Sequence, residues 1–242
     1  MNVLLGPANF QPSNRQPHGV LHLVPTPIGN LEDITLRALR VLREADLIAC
    51  EDTRTSGTLL AHYDIEAPTT PYHEHNEHDK TPRLIKRLKA GHALALVTDA
   101  GTPGVSDPGF LLARAAHKAG VRVEALPGPT AFVPALVASA LPAHRFAFEG
   151  FLPKKKGRQT RIERLADEER TMVFYESPHR LLRTLGDLVD AFGPERRGAV
   201  ARELTKRHEE LRRGTLGELA SYFSGEGSVR GEFVLLVAGT DI

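Results

Sequence analysis

Side chains able to take or give a proton gather just after apolar runs in this sequence. "CEDTR", Cys50 to Arg54, places Glu51 and Asp52 beside Arg54 where the run "DLIAC" ends. "FYESPHR" places Glu176, His179 and Arg180 at the end of "TMVFYES", and "ARELTK" does the same for Glu203 and Lys206. Carboxylates, imidazoles and amines serve acid–base chemistry when a fold brings them within hydrogen-bond reach of a reacting group. The first of these stretches also has a structural use, since Asp52 or Thr53 can cap a helix starting at "RTSGTLLAHY". The two uses are compatible.

Other chemistries fit poorly. "YHEHNEHDK" carries His73, His75 and His78 but matches no carboxylate–histidine ligand spacing, so no metal is expected. Asn76 is instead expected to cap the following helix, with the histidines lining a cleft or facing solvent. "GVSDP" approaches a nucleophile elbow, but a proline stands in place of its last glycine. Neither G-x-x-x-x-G-K-[ST] nor G-x-G-x-x-G occurs. The lone cysteine, Cys50, excludes an internal disulfide framework and reads as a small buried residue suited to a reducing compartment.

The stretch "LVTDAGTPGVSDPGF", Leu96 to Phe110, starts as a buried strand and turns into a loop with Gly101, Gly104, Gly109, Pro103 and Pro108. An ordinary connection needs only about two to six residues. Glycines there permit positive φ or close backbone approach, and prolines fix the rest. "VPTPIGNLEDIT" follows the first strand and "LPGPTA" follows "VRVEA" with the same Pro/Gly character. Ligands of open α/β sheets bind outside the carboxyl ends of strands. Three such loops leaving one sheet edge are therefore expected to converge.

The elements that must hold these groups alternate between strand and helix patterns, which argues an α/β fold. "VLHLV", "DLIAC", "ALALVT" and "VRVEAL" read as strands of a first domain, residues 19–140, and "PTAFVPALVASA" as an apolar helix packed on both sides. A boundary near "SALPAHR" opens a second domain, residues 141–242, with strands "RFAFEGF", "TMVFYES", "AVARELT", "EELRRGT" and "EFVLLVAG". The absence of a helix within "ARELTKRHEELRRGT" implies an antiparallel hairpin and a mixed sheet. Residues 1–18 read as a flexible arm without a secretory pattern. No apolar run approaches the roughly 18 residues of a membrane span, so a cytoplasmic protein is expected.

The 242 residues carry a formal net charge of +1, so overall charge predicts no partner. Local charge does. "FLPKKKGRQTRIER" groups Lys154, Lys155, Lys156, Arg158, Arg161 and Arg164 against Glu163, a stretch expected to meet phosphates.

"PTPIGN", "CEDTR", "DAGTPGVSDPG", "LPGPTA", "FYESPHR", "ARELTK" and "GEFV" together resemble the tetrapyrrole methylase superfamily of S-adenosylmethionine-dependent enzymes. They are most similar to its branch of small-subunit ribosomal RNA cytidine 2′-O-ribose methyltransferases, in order from about Val20 to Ala238. The resemblance implies two α/β domains with the cofactor in the cleft between them, and a homodimer. It carries cofactor contacts onto Pro27, Asp99, Ala100, Gly101, Thr102, Thr130 and Ala131, and onto Tyr175 or Glu176, Leu204 and Glu232. It implies as substrate a cytidine in the decoding region of 16S ribosomal RNA, alone or in the 30S particle.

A ribose hydroxyl is a poor nucleophile at neutral pH, so a base or an oriented hydrogen bond should assist it. Glu51, Asp52, Glu176, His179, Glu203 and Lys206 are the candidates, with Glu176 or Lys206 favoured, and Arg54 and Arg180 expected on phosphate. Carbon methylation of an acidic tetrapyrrole and a non-catalytic RNA-binding role are the competing readings.

Overall fold

The computed structural model describes residues 19–240, so the N-terminal arm lies outside the described residues. Two compact bodies make up the chain. The first comprises residues 19–24, 35–99 and 107–127, and the second residues 25–34, 100–106 and 128–240.

The first body is a five-stranded parallel sheet of β1 (Val20–Leu23), β2 (Leu47–Cys50), β3 (Thr69–Pro71), β4 (Leu94–Val97) and β5 (Arg122–Ala125) in the order β3-β2-β4-β1-β5. Its central strands β2 and β4 are continuous apolar runs, buried at every position, as parallel strands covered on both faces must be. Parallel neighbours need crossovers, supplied by α1 (Leu36–Glu44), α2 (Thr53–His62), α3 (Glu77–Lys89) and α4 (Phe110–Lys118). α3 and α4 are each followed by a glycine in the left-handed region, Gly91 (φ 93°) and Gly120 (φ 70°), which ends the helix without a Cβ clash. Leu21, Leu94, Leu96, Leu112 and Tyr72 form the core. Fully burying one such leucine contributes about 1.5–3 kcal/mol. Strand β3 has no counterpart in the sequence reading, because it is a three-residue exposed edge ending in proline.

The second body holds α5 (Phe132–Ala138), β6 (Phe146–Phe151), α6 (Arg158–Leu165), β7 (Thr171–Glu176), α7 (Leu181–Phe192), β8 (Arg197–Arg202), β9 (Glu210–Thr215), α8 (Leu216–Gly225) and β10 (Phe233–Val237). Its sheet runs β6-β7-β10-β8-β9; β6 and β7 pair in parallel and the other neighbours are antiparallel. The hairpin expected within residues 201–215 is the β8–β9 pair, in register from Arg197 opposite Thr215 to Arg202 opposite Glu210. One face packs α6, α7 and α8 through Phe174, Leu185, Leu188 and Phe223. The other packs α5 and the segments 25–34 and 100–106. α5 is not packed on both sides as expected: it buries Ala135 and Leu136 but leaves Val137 71% exposed.

Candidate active site

In the first body the carboxyl ends of β2 and β4 bring Glu51, Asp52 and Asp99 together. The Asp52 N–H donates to Asp99 Oδ1 (3.1 Å) and the Asp99 N–H to Glu51 Oε2 (3.4 Å). Asp52 is the N-cap of α2, its Oδ1 accepting from the Arg54 N–H at 2.8 Å. Arg54 also donates to it through Nε and Nη2, and these bonds hold the Asp52 carboxyl down at about 2. Asp52 is therefore an anion paired with an exposed arginine and a weak base. Glu51 and Asp99 differ. Burial, reinforced by neighbouring carboxylates, pushes both of their pKa values up. Cys50 is fully buried beneath them, and burial pushes its thiol up, which suits an inert residue. Asn76 stands at the start of α3, but its side chain turns back to accept from the His73 N–H (3.0 Å) and caps nothing. His75 and His78 face solvent.

In the second body the three Pro/Gly loops do converge. Thr26 and Gly101 exchange both backbone hydrogen bonds, at 2.9 and 3.0 Å. Thr102 Oγ1 donates to the Pro129 carbonyl (2.9 Å), and a Cβ on Gly128 would lie 2.7 Å from Pro25 Cβ. Gly101 has φ +86°, and a Cβ there would meet only Ile28 at an ordinary 3.6 Å, so the glycine is required by its conformation and not by crowding. Both of its peptide groups join it to Thr26, and the Thr102 carbonyl accepts from the Val105 N–H (3.2 Å). Ala100, Ala131, Tyr175 and Leu204 pack on one cluster around Ile28, with Pro27 and Thr130 adjoining in sequence. Nearly all the expected cofactor contacts thus share one surface of this body; Asp99 belongs to the first.

Beside that surface lies a charged clasp. Lys206 Nζ donates to Glu203 Oε1 (2.9 Å) and Glu232 Oε2 (3.0 Å), and its stem covers Gly29, where a Cβ would fall 2.3 Å from Lys206 Cγ. Burial opposes the charge on Lys206, but the two carboxylates outweigh it and raise its pKa. Lys206 is an ammonium donor at neutral pH and no base. The loop beneath it is strained: Glu203 (φ 51°) and Thr205 (φ 66°) both lie in the left-handed region, which a β-branched residue seldom occupies. The Thr205 hydroxyl is buried without a hydrogen-bond partner among the described residues. Sequence reading singled out Gly29 only as part of its Pro/Gly loop and missed Thr26 and Thr205; the Pro-Thr-Pro-Ile-Gly punctuation hinted at Thr26.

Glu176 sits apart from open chemistry. Its side chain is 1% exposed and accepts from the Ser177 N–H, Arg180 Nε and Thr184 Oγ1 at 2.6–2.8 Å. Arg180 also donates to the Leu152 carbonyl (3.1 Å), and Arg158, 4% exposed, is bound by Asp187 (2.7 Å), Thr184 (2.8 Å) and the Pro153 carbonyl (3.3 Å). This network uses Glu176, Arg180 and Arg158 to fix the start of α7 and the loop before α6. Arg158 and Arg180 are not open to a phosphate as expected, and Glu176 has no open face for a hydroxyl. Lys154, Lys155, Lys156 and His179 are exposed.

The tetrapyrrole (corrin/porphyrin) methylase family model matches residues 20–220. The chain belongs to the tetrapyrrole methylase family. It is 52% identical over 91% of its length, and 79% of the relative's, to the ribosomal RNA small subunit methyltransferase I of Synechocystis. The protein of that name from Escherichia coli O157:H7 is 50% identical over 91% of this chain and 78% of its own. Among solved structures, uroporphyrin-III C-methyltransferase from Thermus thermophilus is similar with a TM-score of 0.61 and 28% identity, over 91% of this chain and 94% of its own. A diphthine synthase shares the fold at a TM-score of 0.67 and 14% identity, over 91% and 90% of the two chains.

The second body's surface suits a cofactor of the kind such methylases use. Interlocked loops fixed by Gly101, an apolar floor at Ile28 and Leu204, and the unpartnered Thr205 hydroxyl offer backbone, apolar and polar contacts side by side. Among the described residues no group of histidine, cysteine or carboxylate side chains could hold a metal ion, and no helix is long and apolar enough to cross a membrane.

Proposed function

We propose that this protein is an S-adenosylmethionine-dependent methyltransferase of small-subunit ribosomal RNA that methylates the 2′-hydroxyl of a cytidine in the decoding region. The observation that carries this reading is an identity of about half along nine-tenths of the chain to proteins named for small-subunit ribosomal RNA methylation. The likeness to the porphyrinoid enzyme is weaker, at 28%.

S-adenosylmethionine supplies a methyl group already activated by a sulfonium. The protein must align and desolvate the acceptor oxygen and remove its proton. Pro27, Ala100 to Thr102, Thr130, Ala131, Tyr175 and Leu204 would hold the cofactor. Lys206, kept charged by Glu203 and Glu232, stabilises negative charge as it develops on an oxygen. Glu51, with its raised pKa, is the first body's candidate for the base that takes the proton, with Asp99 beside it. Glu176 acts by holding Arg180 and the start of α7. The protein works in the cytoplasm as a homodimer, for which the exposed Val133 and Val137 of α5 supply an apolar face.

Incubation with methyl-labelled S-adenosylmethionine and small-subunit RNA, 30S particles or a porphyrinoid tests the reading. Label on a cytidine ribose supports it. Label on the porphyrinoid alone, or none on any substrate, overturns it.

A further inference from the structure

One pocket in the second body is used by none of this chemistry. It has a volume of about 410 Å³ and is lined by Glu149, Phe151, Pro153, Thr160, Arg161 and Arg164 with Leu152 and Gly157. That volume falls at the small end of ligand-sized sites. Phe151 ends β6 and is 52% exposed, an unusual state for a phenylalanine, with its ring edge-on to Tyr175 at 5.7 Å between centroids. Glu149, the only acid of the wall, is neutralised by its ion pair with Arg161. Arg164 is exposed and has no carboxylate partner among the described residues. Lys154, Lys155 and Lys156 lie between Pro153 and Gly157, which both belong to the wall, and the buried Arg158 ties that loop down through Asp187 and the Pro153 carbonyl.

The pocket therefore combines a water-facing aromatic ring, an exposed guanidinium with no carboxylate partner among the described residues, and a fixed lysine loop. An aromatic face takes an unstacked base, and neighbouring cations take its phosphates. β6 and β7 are parallel, and Phe151 pairs with Tyr175 at the strand end beside the candidate cofactor surface. We infer that this pocket binds one unpaired nucleotide of the RNA substrate, flanking the one that reacts. Its base lies on Phe151, its phosphate on Arg164, and the next phosphates on Lys154 to Lys156. The inference rests on the ribosomal RNA reading above.

The test uses the full chain and a fluorescent single-stranded RNA of about ten nucleotides containing cytidines, read by anisotropy. Phe151→Leu keeps an apolar side chain but loses the stacking face, and should weaken binding by about five- to a hundredfold. Phe151→Trp should restore it. Arg164→Gln, an exposed change that spares the fold, should weaken binding and flatten its salt dependence by about 0.7 in log–log slope. S-adenosylmethionine affinity should not move in any variant. If the wild type binds and methylates RNA while Phe151→Leu and Arg164→Gln bind it equally well, the pocket assignment is wrong and the function stands. A shift in sedimentation on Phe151→Leu would assign the ring to contact between copies of the chain, which also overturns it. A wild type that neither binds nor methylates RNA overturns both.

Discussion

Glu51 is buried enough that its carboxyl is pushed above the ordinary 4.5, so folding favours its protonated form. A carboxyl with a raised pKa leaves stability untouched below its ordinary pKa and costs stability as pH rises through the folded value. Glu51→Gln should therefore melt no lower than the wild type at pH 8, and the difference should vanish below about pH 4. Ribose methylation by the same variant should fall by about a hundredfold or more if Glu51 takes the proton. Melting curves at both pH values, read beside turnover, separate the two effects; a variant that loses stability at pH 8 and keeps its activity contradicts the assignment. Gly101 gives the complementary case. An alanine there meets Ile28 at an ordinary contact distance but must adopt a φ of +86°, at a cost of about 1–2 kcal/mol. For a chain of this size that lowers the melting temperature by roughly 2–8 °C. Calorimetric titration should show weaker S-adenosylmethionine binding, because the Thr26–Gly101 pairing sets the loop.

The strands were legible in the sequence wherever burial is on both faces, as in "DLIAC" and "FVLLV", because a continuous apolar run needs no partner to be recognised. β3 escaped because Thr69–Pro71 is short, exposed and stabilised by pairing with β2. The run from Lys154 to Arg164 shows a different limit. Composition made it one basic stretch expected to meet phosphates, whereas Arg158 turns inward to Asp187, a partner 29 positions away that no local pattern reveals. Its neighbours stay outside. This element thus splits into a structural anchor and a contact surface, and the two halves should respond oppositely to substitution. Arg158→Met strips Asp187, Thr184 and Pro153 of their donor and should cost about 3 kcal/mol. Alanine at Lys154, Lys155 or Lys156 should cost under about 0.5 kcal/mol each. Urea unfolding of the four variants checks this, and equal losses would contradict the buried anchor.

Across the whole molecule the chain is nearly neutral, at +1, and its bodies interleave along the sequence, since segments 25–34 and 100–106 pack with residues 128–240. A boundary near residue 140 follows composition; membership of a compact body follows contact, which composition does not encode. The candidate site was legible as motifs but not as roles, because the pairing of Lys206 with Glu203 and Glu232, and the enclosure of Glu176, are properties of three-dimensional neighbours. Near neutrality also fixes what RNA affinity can rest on. Acids and bases offset one another over most of the surface, and a distant ribosomal RNA feels little net field beyond a Debye length of about 8–10 Å. Affinity must come from a local set of cations, and the exposed lysines at 154, 155 and 156 are such a set, with Arg158 removed from it by burial. Each phosphate neutralised on a single strand contributes about 0.7 to the slope of log K against log salt. Replacing all three lysines with alanine should flatten that slope by up to about 2 and weaken RNA binding most at low salt, with S-adenosylmethionine affinity and melting temperature unchanged. Adding Arg158→Met to that variant should lower stability, and any further loss of RNA affinity should follow the unfolded fraction alone. A slope that stays at the wild-type value in the triple variant would place the phosphate contacts elsewhere on the molecule.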